Sequence, residues 1–382
     1  MRTHEKSAYQ TGRYRNVLAE LGIAETAIEA RLEAVWAALF GDADEAVRFY
    51  YPLGADIAYI LDTGNLDVRT EGVSYGMMMA VQMDRQEVFD RLWRFAVTYM
   101  QHREGRYKHY FAWHCKPDGT RLSSGPAPDG EEFFAMALFF AAARWGDGEP
   151  PLDYAAQARQ ILRACLHQGE DGAPGDPMWD PATKLIKFVP ESPFSDPSYH
   201  LPHFYELFAE RADARDRAFW REAADASRAY LQLACHPQTG LAPEYAHYDG
   251  TPAPPQRHGD YRHFFSDAYR VAANVALDWE WFRRDPWQVE QSNRLLRFFR
   301  PIPVADYRRY TIDGQPFDEP ALHPVGLLAT NAAAALAADS EDAAYFVRLL
   351  WETPLRRGPR RYYDNCLFFF ALLALSGRYR IY

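Results

Sequence analysis

At 382 residues the chain can hold one large domain or two to three ordinary ones, and 48% hydrophobic residues supply a sizeable core. A net charge of −10, with no basic run that stands out, argues against nucleic acid or an anionic membrane surface as a partner. No uninterrupted apolar stretch is long enough to span a bilayer; residues 367–375, for example, are far too few.

In chain order the hydrophobic pattern predicts about twelve helices. Residues 26–40 open the series. Residues 72–83 are apolar nearly all round, and 87–100 are amphipathic. The alternation repeats with 133–145 (apolar) and 153–167, where Tyr154, Ala158, Ile161, Leu162 and Cys165 share one face. Residues 200–210 lie in the middle, followed by amphipathic 216–235 and apolar 265–277. Then come amphipathic 286–299, apolar 325–337, amphipathic 342–351 and apolar 367–375. Asp285-Pro286 is a good start for its helix, with Asp as N-cap and Pro in the first turn.

An all-round apolar helix must be buried, and an amphipathic one covers it. The alternation therefore predicts an inner ring of helices inside an outer ring: an all-α (α/α)6 barrel, with residues 1–382 as a single domain. The competing architecture is an α-solenoid of helical hairpins, but no clear sequence repeat is visible. Segments 103–129, 169–197, 236–261 and 301–324 are long and rich in Gly, Pro, Asp and aromatics. Loops of that length are expected to be functional and to form the cleft. Short β segments are expected inside them, for example over 184–189.

Aromatic residues make up 15% of the chain. That excess fits a very aromatic core or a sugar-binding cleft, and most of the rings must be core. Cys115, Cys165, Cys235 and Cys366 form no CxxC pair and read as buried free thiols. Met1-Arg2-Thr3-His4-Glu5-Lys6 has no apolar h-region, so a cytoplasmic location is expected. The twelve histidines do not cluster at metal-ligand spacing. His200 and His203 come closest, without a further ligand, so neither a metal nor another cofactor is expected. Nothing in the pattern specifies an oligomeric state.

Chemistry is most legible where loops become helices. Asp67-Val68-Arg69-Thr70-Glu71-Gly72-Val73-Ser74-Tyr75-Gly76 places Glu71 at the mouth of an apolar helix. Partial desolvation there raises a carboxyl pKa, as a general acid requires. Asp129 stands in Ala127-Pro128-Asp129-Gly130-Glu131-Glu132. Asp196-Pro197-Ser198-Tyr199-His200 and Phe265-Ser266-Asp267-Ala268-Tyr269-Arg270 repeat the theme. Each has an ordinary explanation as a turn, a helix start or an acid complementing the helix dipole. Together they place acids at the same end of several inner helices.

Taken together, these motifs resemble glycoside hydrolase family 8, the inverting β-glycanases built on an (α/α)6 barrel. The resemblance covers nearly the whole chain. It implies that Glu71, in Arg-Thr-Glu-Gly-Val-Ser-Tyr-Gly, is the general acid and that Asp267 is the general base, with Arg270 as its partner. It implies that Asp129 contacts the sugar ring at the cleavage subsite and that Tyr199 helps hold the attacking water. Tyr362-Tyr363-Asp364 and residues 367–377 match the family's last helix, which puts Tyr363 among the substrate-binding residues. Leu322-His323-Pro324 resembles the loop of that family's reducing-end xylose-releasing exo-oligoxylanases, and implies that His323 reads the hydroxyl at the reducing end.

The implied reaction is inverting hydrolysis of β-1,4-xylosidic bonds in xylo-oligosaccharides. It requires the two carboxyl groups to stand roughly 6.5–9.5 Å apart, to leave room for water. Trp113 is a candidate stacking platform for a xylose unit, or equally a core residue. The alternatives are an endo-acting xylanase, an endoglucanase or chitosanase of the same family, and a non-catalytic oligosaccharide-binding barrel. A pure binder has no need of opposed carboxylates.

Overall fold

The structure, a computed structural model, describes residues 6–382. Of the N-terminal run considered above, residues 1–5 therefore lie outside the described residues. Fourteen α-helices and six short strands are assigned among the described residues. The first helices are α1 (Ala8–Thr11), α2 (Val17–Glu20) and α3 (Glu25–Phe40). They are followed by strands β1 (Tyr50–Leu53), β2 (Ile57–Ile60) and β3 (Val68–Arg69). Next come α4 (Thr70–Gln82), α5 (Gln86–Phe95), β4 (His114–Cys115), α6 (Pro128–Trp145), α7 (Tyr154–His167), α8 (Pro202–Arg211) and α9 (Arg217–Ala234). The chain continues with α10 (Arg270–Phe282), α11 (Trp287–Phe299), β5 (Arg308–Tyr310) and β6 (Pro316–Pro320). It ends with α12 (Pro324–Ala333), α13 (Asp342–Glu352) and α14 (Arg361–Leu375).

Each of the twelve predicted helices has a counterpart. Expectation and structure differ at the ends, for local reasons. The helix expected over 87–100 finishes in a π-helical turn, Ala96–Met100. The one expected over 265–277 opens with a 3-10 turn, Ser266–Tyr269, before α10. α6 starts at Pro128, whose fixed φ and missing N–H suit the first helical position. Asp285 accepts the Trp287 N–H at 3.0 Å at the start of α11, where Pro286 is the N-cap residue. The run 184–189 forms no ladder: Lys184 sits at φ 63°, which turns the chain, and only Ile186 pairs, as an isolated bridge to Trp179. The alternation of helix types is real. In α4 every residue but Glu71 is buried, whereas α5 buries only Phe89, Leu92, Trp93 and Phe95.

The chain divides into two compact units. One holds residues 6–38, Phe194–His203 and Ser227–Arg380; the other holds Leu39–Pro193, Phe204–Ala226 and Ile381–Tyr382. In the second, β1 pairs antiparallel with β2, and β3 with β4 in the register Val68↔Cys115 and Arg69↔His114. α4 packs against α5 and α6, and α6 against α7. Aromatic rings fill this core: Trp93, Phe111 and Phe134 meet at centroid distances of 4.9–5.9 Å, and Trp220 packs edge-on against Trp179 at 5.0 Å. Most of the aromatic surplus is spent in this way, since each such ring contributes about 1.5–3 kcal/mol on burial.

In the first unit, α12 packs against α10, α13 and α14, and α11 against α10 and α13. Arg228 and Asp278 form a buried two-pronged ion pair at 2.8 Å, and Gln288 adds a third donor to the same carboxylate. His200 bonds to Ser195 Oγ and Ser227 Oγ, both at 2.9 Å, and His203 meets the Trp281 ring edge-on. Burial lowers the pKa of each imidazole to about 3, so both are neutral core groups. The four cysteines are free and buried. Among the described residues no helix is long and apolar enough to cross a membrane, and no group of three His, Cys, Asp or Glu could hold a metal ion.

Candidate active site

In the second unit, β3 runs straight into α4. The Thr70 N–H donates to the Trp113 carbonyl at 2.9 Å, which seats the helix start on the strand pair. Glu71 follows in the first turn, partly exposed in an otherwise buried helix. There its carboxylate complements the positive helix end and remains accessible. Arg69 is held by Asp62 at 3.1 Å and Asp67 at 3.0 Å, and its guanidinium lies 5.3 Å from the Trp113 ring centroid. Trp113 is itself only partly buried.

Asp129 lies in the first turn of α6, 7% exposed, and accepts the Gly130 N–H at 2.9 Å. Gly130 explains how α4 and α6 come so close. A Cβ there would stand 2.5 Å from both Cβ and Oγ1 of Thr70, so only glycine fits. Glu71 and Asp129 are thus brought to adjoining helix starts. The next two acids are turned into the core. Glu131 is fully buried and accepts the Phe111 N–H at 2.9 Å; burial and the nearby Asp129 hold its pKa well above the usual range. Glu132 receives the Tyr205 hydroxyl.

In the first unit, Asp267 sits in the 3-10 turn ahead of α10, with its side chain 37% exposed. Arg270, one turn on, anchors the cluster. Its Nη2 donates to Ser198 Oγ at 2.8 Å and stands 3.4 Å from Asp267 Oδ1 and 3.7 Å from Asp196 Oδ2. The same guanidinium is 5.6 Å from the Tyr199 ring centroid and 6.0 Å from that of Tyr363. Two buried acids back Asp267. Asp196 accepts the Ser198 N–H at 2.7 Å, and Glu244 accepts the backbone N–H of Asp267. Burial first, and the neighbouring Asp267 second, raise both pKa values and favour their protonated forms.

His323 is the residue ahead of Pro324 at the start of α12, and its side chain is 11% exposed. Nδ1 lies 2.9 Å from Asp364 Oδ2, and the ring meets Tyr363 edge-on at 4.9 Å. The Tyr363 hydroxyl donates to the Ser266 carbonyl at 3.1 Å. His323, Tyr363, Asp267, Arg270 and Tyr199 are therefore linked in one contact chain, and Glu71, Asp129 and Trp113 in another. Glu244 and Arg356 were not singled out from sequence. Asp196 was noted among the acids at loop-to-helix junctions, without a role of its own, and it does cap a helix start; Asp364 was noted only within the Tyr362-Tyr363-Asp364 run. Glu244 lies in a long loop whose course no local pattern indicates.

Comparison with known proteins shows the family and the fold. The model of glycosyl hydrolases family 8 matches residues 57–376. A reducing-end xylose-releasing exo-oligoxylanase, Rex8A of Paenibacillus barcinonensis, is 72% identical over 99% of both chains. The enzyme of that activity from Halalkalibacterium halodurans is 58% identical over 100% of this chain and 98% of its own. The solved structure of Rex8A complexed with xylose superposes with a TM-score of 0.98, covering 99% of this chain and 100% of that one. The fold class is the all-α (α/α)6 barrel expected from the helix pattern. The chain is a glycoside hydrolase and belongs to glycosyl hydrolases family 8.

Proposed function

We propose that this protein hydrolyses β-1,4-xylosidic bonds of xylo-oligosaccharides with inversion, acting as one catalytic domain and releasing xylose from the reducing end. The observation that carries the reading is the 72% identity, over 99% of the chain, to an exo-oligoxylanase of that specificity. The contact chain from His323 through Tyr363 to the Asp267 turn supports it, because a reducing-end reader and a base are there tied together.

Glu71 donates a proton to the leaving glycosidic oxygen. Asp267 takes a proton from a water, whose oxygen attacks the anomeric carbon as the glycosidic bond breaks. Arg270 holds Asp267 in place, and the Tyr199 hydroxyl helps hold the water. Asp129 contacts the sugar ring at the cleavage subsite, Trp113 stacks against a xylose unit, and Tyr363 lines the site beside His323. His323 reads the hydroxyl at the reducing end. No cofactor takes part, and neither nucleic acid nor a membrane is a partner. The four free, buried thiols suit a cytoplasmic enzyme that meets imported oligosaccharides.

The test is xylotriose and its alditol. The expected products from xylotriose are xylose and xylobiose, cut at the reducing end, with the alditol cleaved far more slowly. Equal rates on the two substrates would overturn reducing-end reading. Products cut internally from long xylan would favour an endo-acting xylanase, and inactivity a binding barrel.

A further inference from the structure

Among the described residues, Asp364 is the one fully buried carboxylate that meets the Leu322-His323-Pro324 loop, and both of its oxygens are engaged. Oδ1 accepts the Gly326 N–H at 2.8 Å, and Oδ2 faces His323 Nδ1 at 2.9 Å. Arg356 donates to Oδ2 as well, and its Nη1 also reaches the Leu322 carbonyl at 2.7 Å. Asp364 is 0% exposed and lies in the first turn of α14, where the helix end favours a negative charge. A carboxylate in this setting accepts, so Nδ1 must carry the ring proton. Among the described residues, that bond is the ring's one hydrogen bond to protein.

We propose that Asp364 is a positioning residue for reducing-end recognition: it fixes His323 as the Nδ1–H tautomer, so that Nε2 offers a lone pair to a sugar hydroxyl. This rests on the reading of His323 given above and adds the direction of the hydrogen bond: the sugar donates and the enzyme accepts. It also assigns Arg356 a part, since one guanidinium pins both the carboxylate and the loop backbone. The chemistry recognised is a free hydroxyl, able to donate, on the ring of the terminal pentose.

The experiment compares the wild type, Asp364→Asn and His323→Ala on xylotriose and on its alditol. In Asp364→Asn the neutral amide, with a single acceptor oxygen, can no longer accept from Gly326, His323 and Arg356 at once, so the ring proton loses its hold on Nδ1 and is free to move to Nε2. Expected is at least a tenfold fall in kcat/KM for xylotriose, carried by KM, with the alditol rate changed less than threefold. A merely structural role would lower both substrates alike. Unchanged discrimination in Asp364→Asn, with discrimination lost in His323→Ala, overturns the proposal and leaves the reading of His323 standing. Unchanged discrimination in His323→Ala overturns that reading itself. A second measurement needs no variant at Asp364: the side-chain nitrogen NMR spectrum of the labelled wild-type enzyme, with the His323 signals assigned by their absence in His323→Ala. The Nδ1–H tautomer is expected, and the Nε2–H tautomer overturns the proposal.

Discussion

The Tyr363 hydroxyl donates to the Ser266 carbonyl at 3.1 Å, tying the first turn of α14 to the residue before Asp267. The bond joins the wall that carries His323 to the turn that carries the candidate base. Tyr363→Phe keeps the ring against His323 and removes only this bond. A net loss of about 0.5–1.5 kcal/mol is expected from one hydrogen bond. On xylotriose that corresponds to a fall in kcat of about two- to tenfold, measured beside an unchanged circular dichroism spectrum.

Glu71→Gln and Asp267→Asn test the assigned roles most directly. Each should cost about 10²–10⁴-fold in kcat on xylotriose, the usual contribution of one acid or base. Glu71→Gln should recover part of its rate on aryl xylosides whose leaving group needs no proton, whereas Asp267→Asn should not. Equal recovery in both variants would count against the division of labour.

Arg270→Lys is not a conservative change here. A guanidinium can serve Ser198, Asp267 and Asp196 from one plane, and an ammonium cannot. The expected outcome is a loss of about tenfold or more in kcat, with the melting temperature lowered because Asp196 is buried beside the missing group. Steady-state kinetics and thermal melts check the two parts separately.

Stability should fall as pH rises from the ordinary carboxylate range upward, because Asp196 and Glu244 both titrate higher in the folded chain than unfolded. Over that window the folded state binds more protons than the unfolded state, so alkali favours unfolding. Asp196→Asn should flatten the slope, and melting curves from pH 5 to 9 in wild type and variant measure it. An identical slope would show that Asp196 does not hold its proton.

The acid side has the opposite sign. His200 titrates at about 3 in the folded chain against an ordinary 6.5. Between those values the unfolded state binds the extra proton, so stability falls as pH drops through the window. His200→Gln should lower stability at pH 7 by about 1–3 kcal/mol, through the buried Ser195 and Ser227 bonds, yet decline less steeply from pH 6.5 to 4. Denaturant unfolding at several pH values checks both.

The helices were legible because burial writes a period of its own. The apolar runs of α4, α6, α10, α12 and α14 and the one-sided α5 and α7 sort themselves by composition alone. Their ends were less legible, since a π turn after Phe95 or a 3-10 turn before Arg270 answers to packing rather than to pattern. Within the site, residues on helix starts could be found, because Glu71, Asp129 and Asp267 sit beside Gly, Pro or Ser signals. Glu244 and Asp364 could not. Glu244 meets Asp267 only through a loop fold, and Asp364 matters through a histidine 41 positions away. The strand-like run 184–189 misled for a related reason: its apolar and β-branched content says nothing of the turn at Lys184.

The glycine at 130 makes the spacing of Glu71 and Asp129 a constant of the scaffold. Thr70 already occupies the space a side chain there would need, so the two acids cannot be moved apart one at a time. An engineer wishing to admit a bulkier sugar, or to shift the acid relative to the ring it serves, has no adjustable joint at this place. The useful freedom lies elsewhere, in the loops that carry Trp113 and His323, and variation that leaves the helix starts untouched is the route by which specificity can change without the acid losing its register.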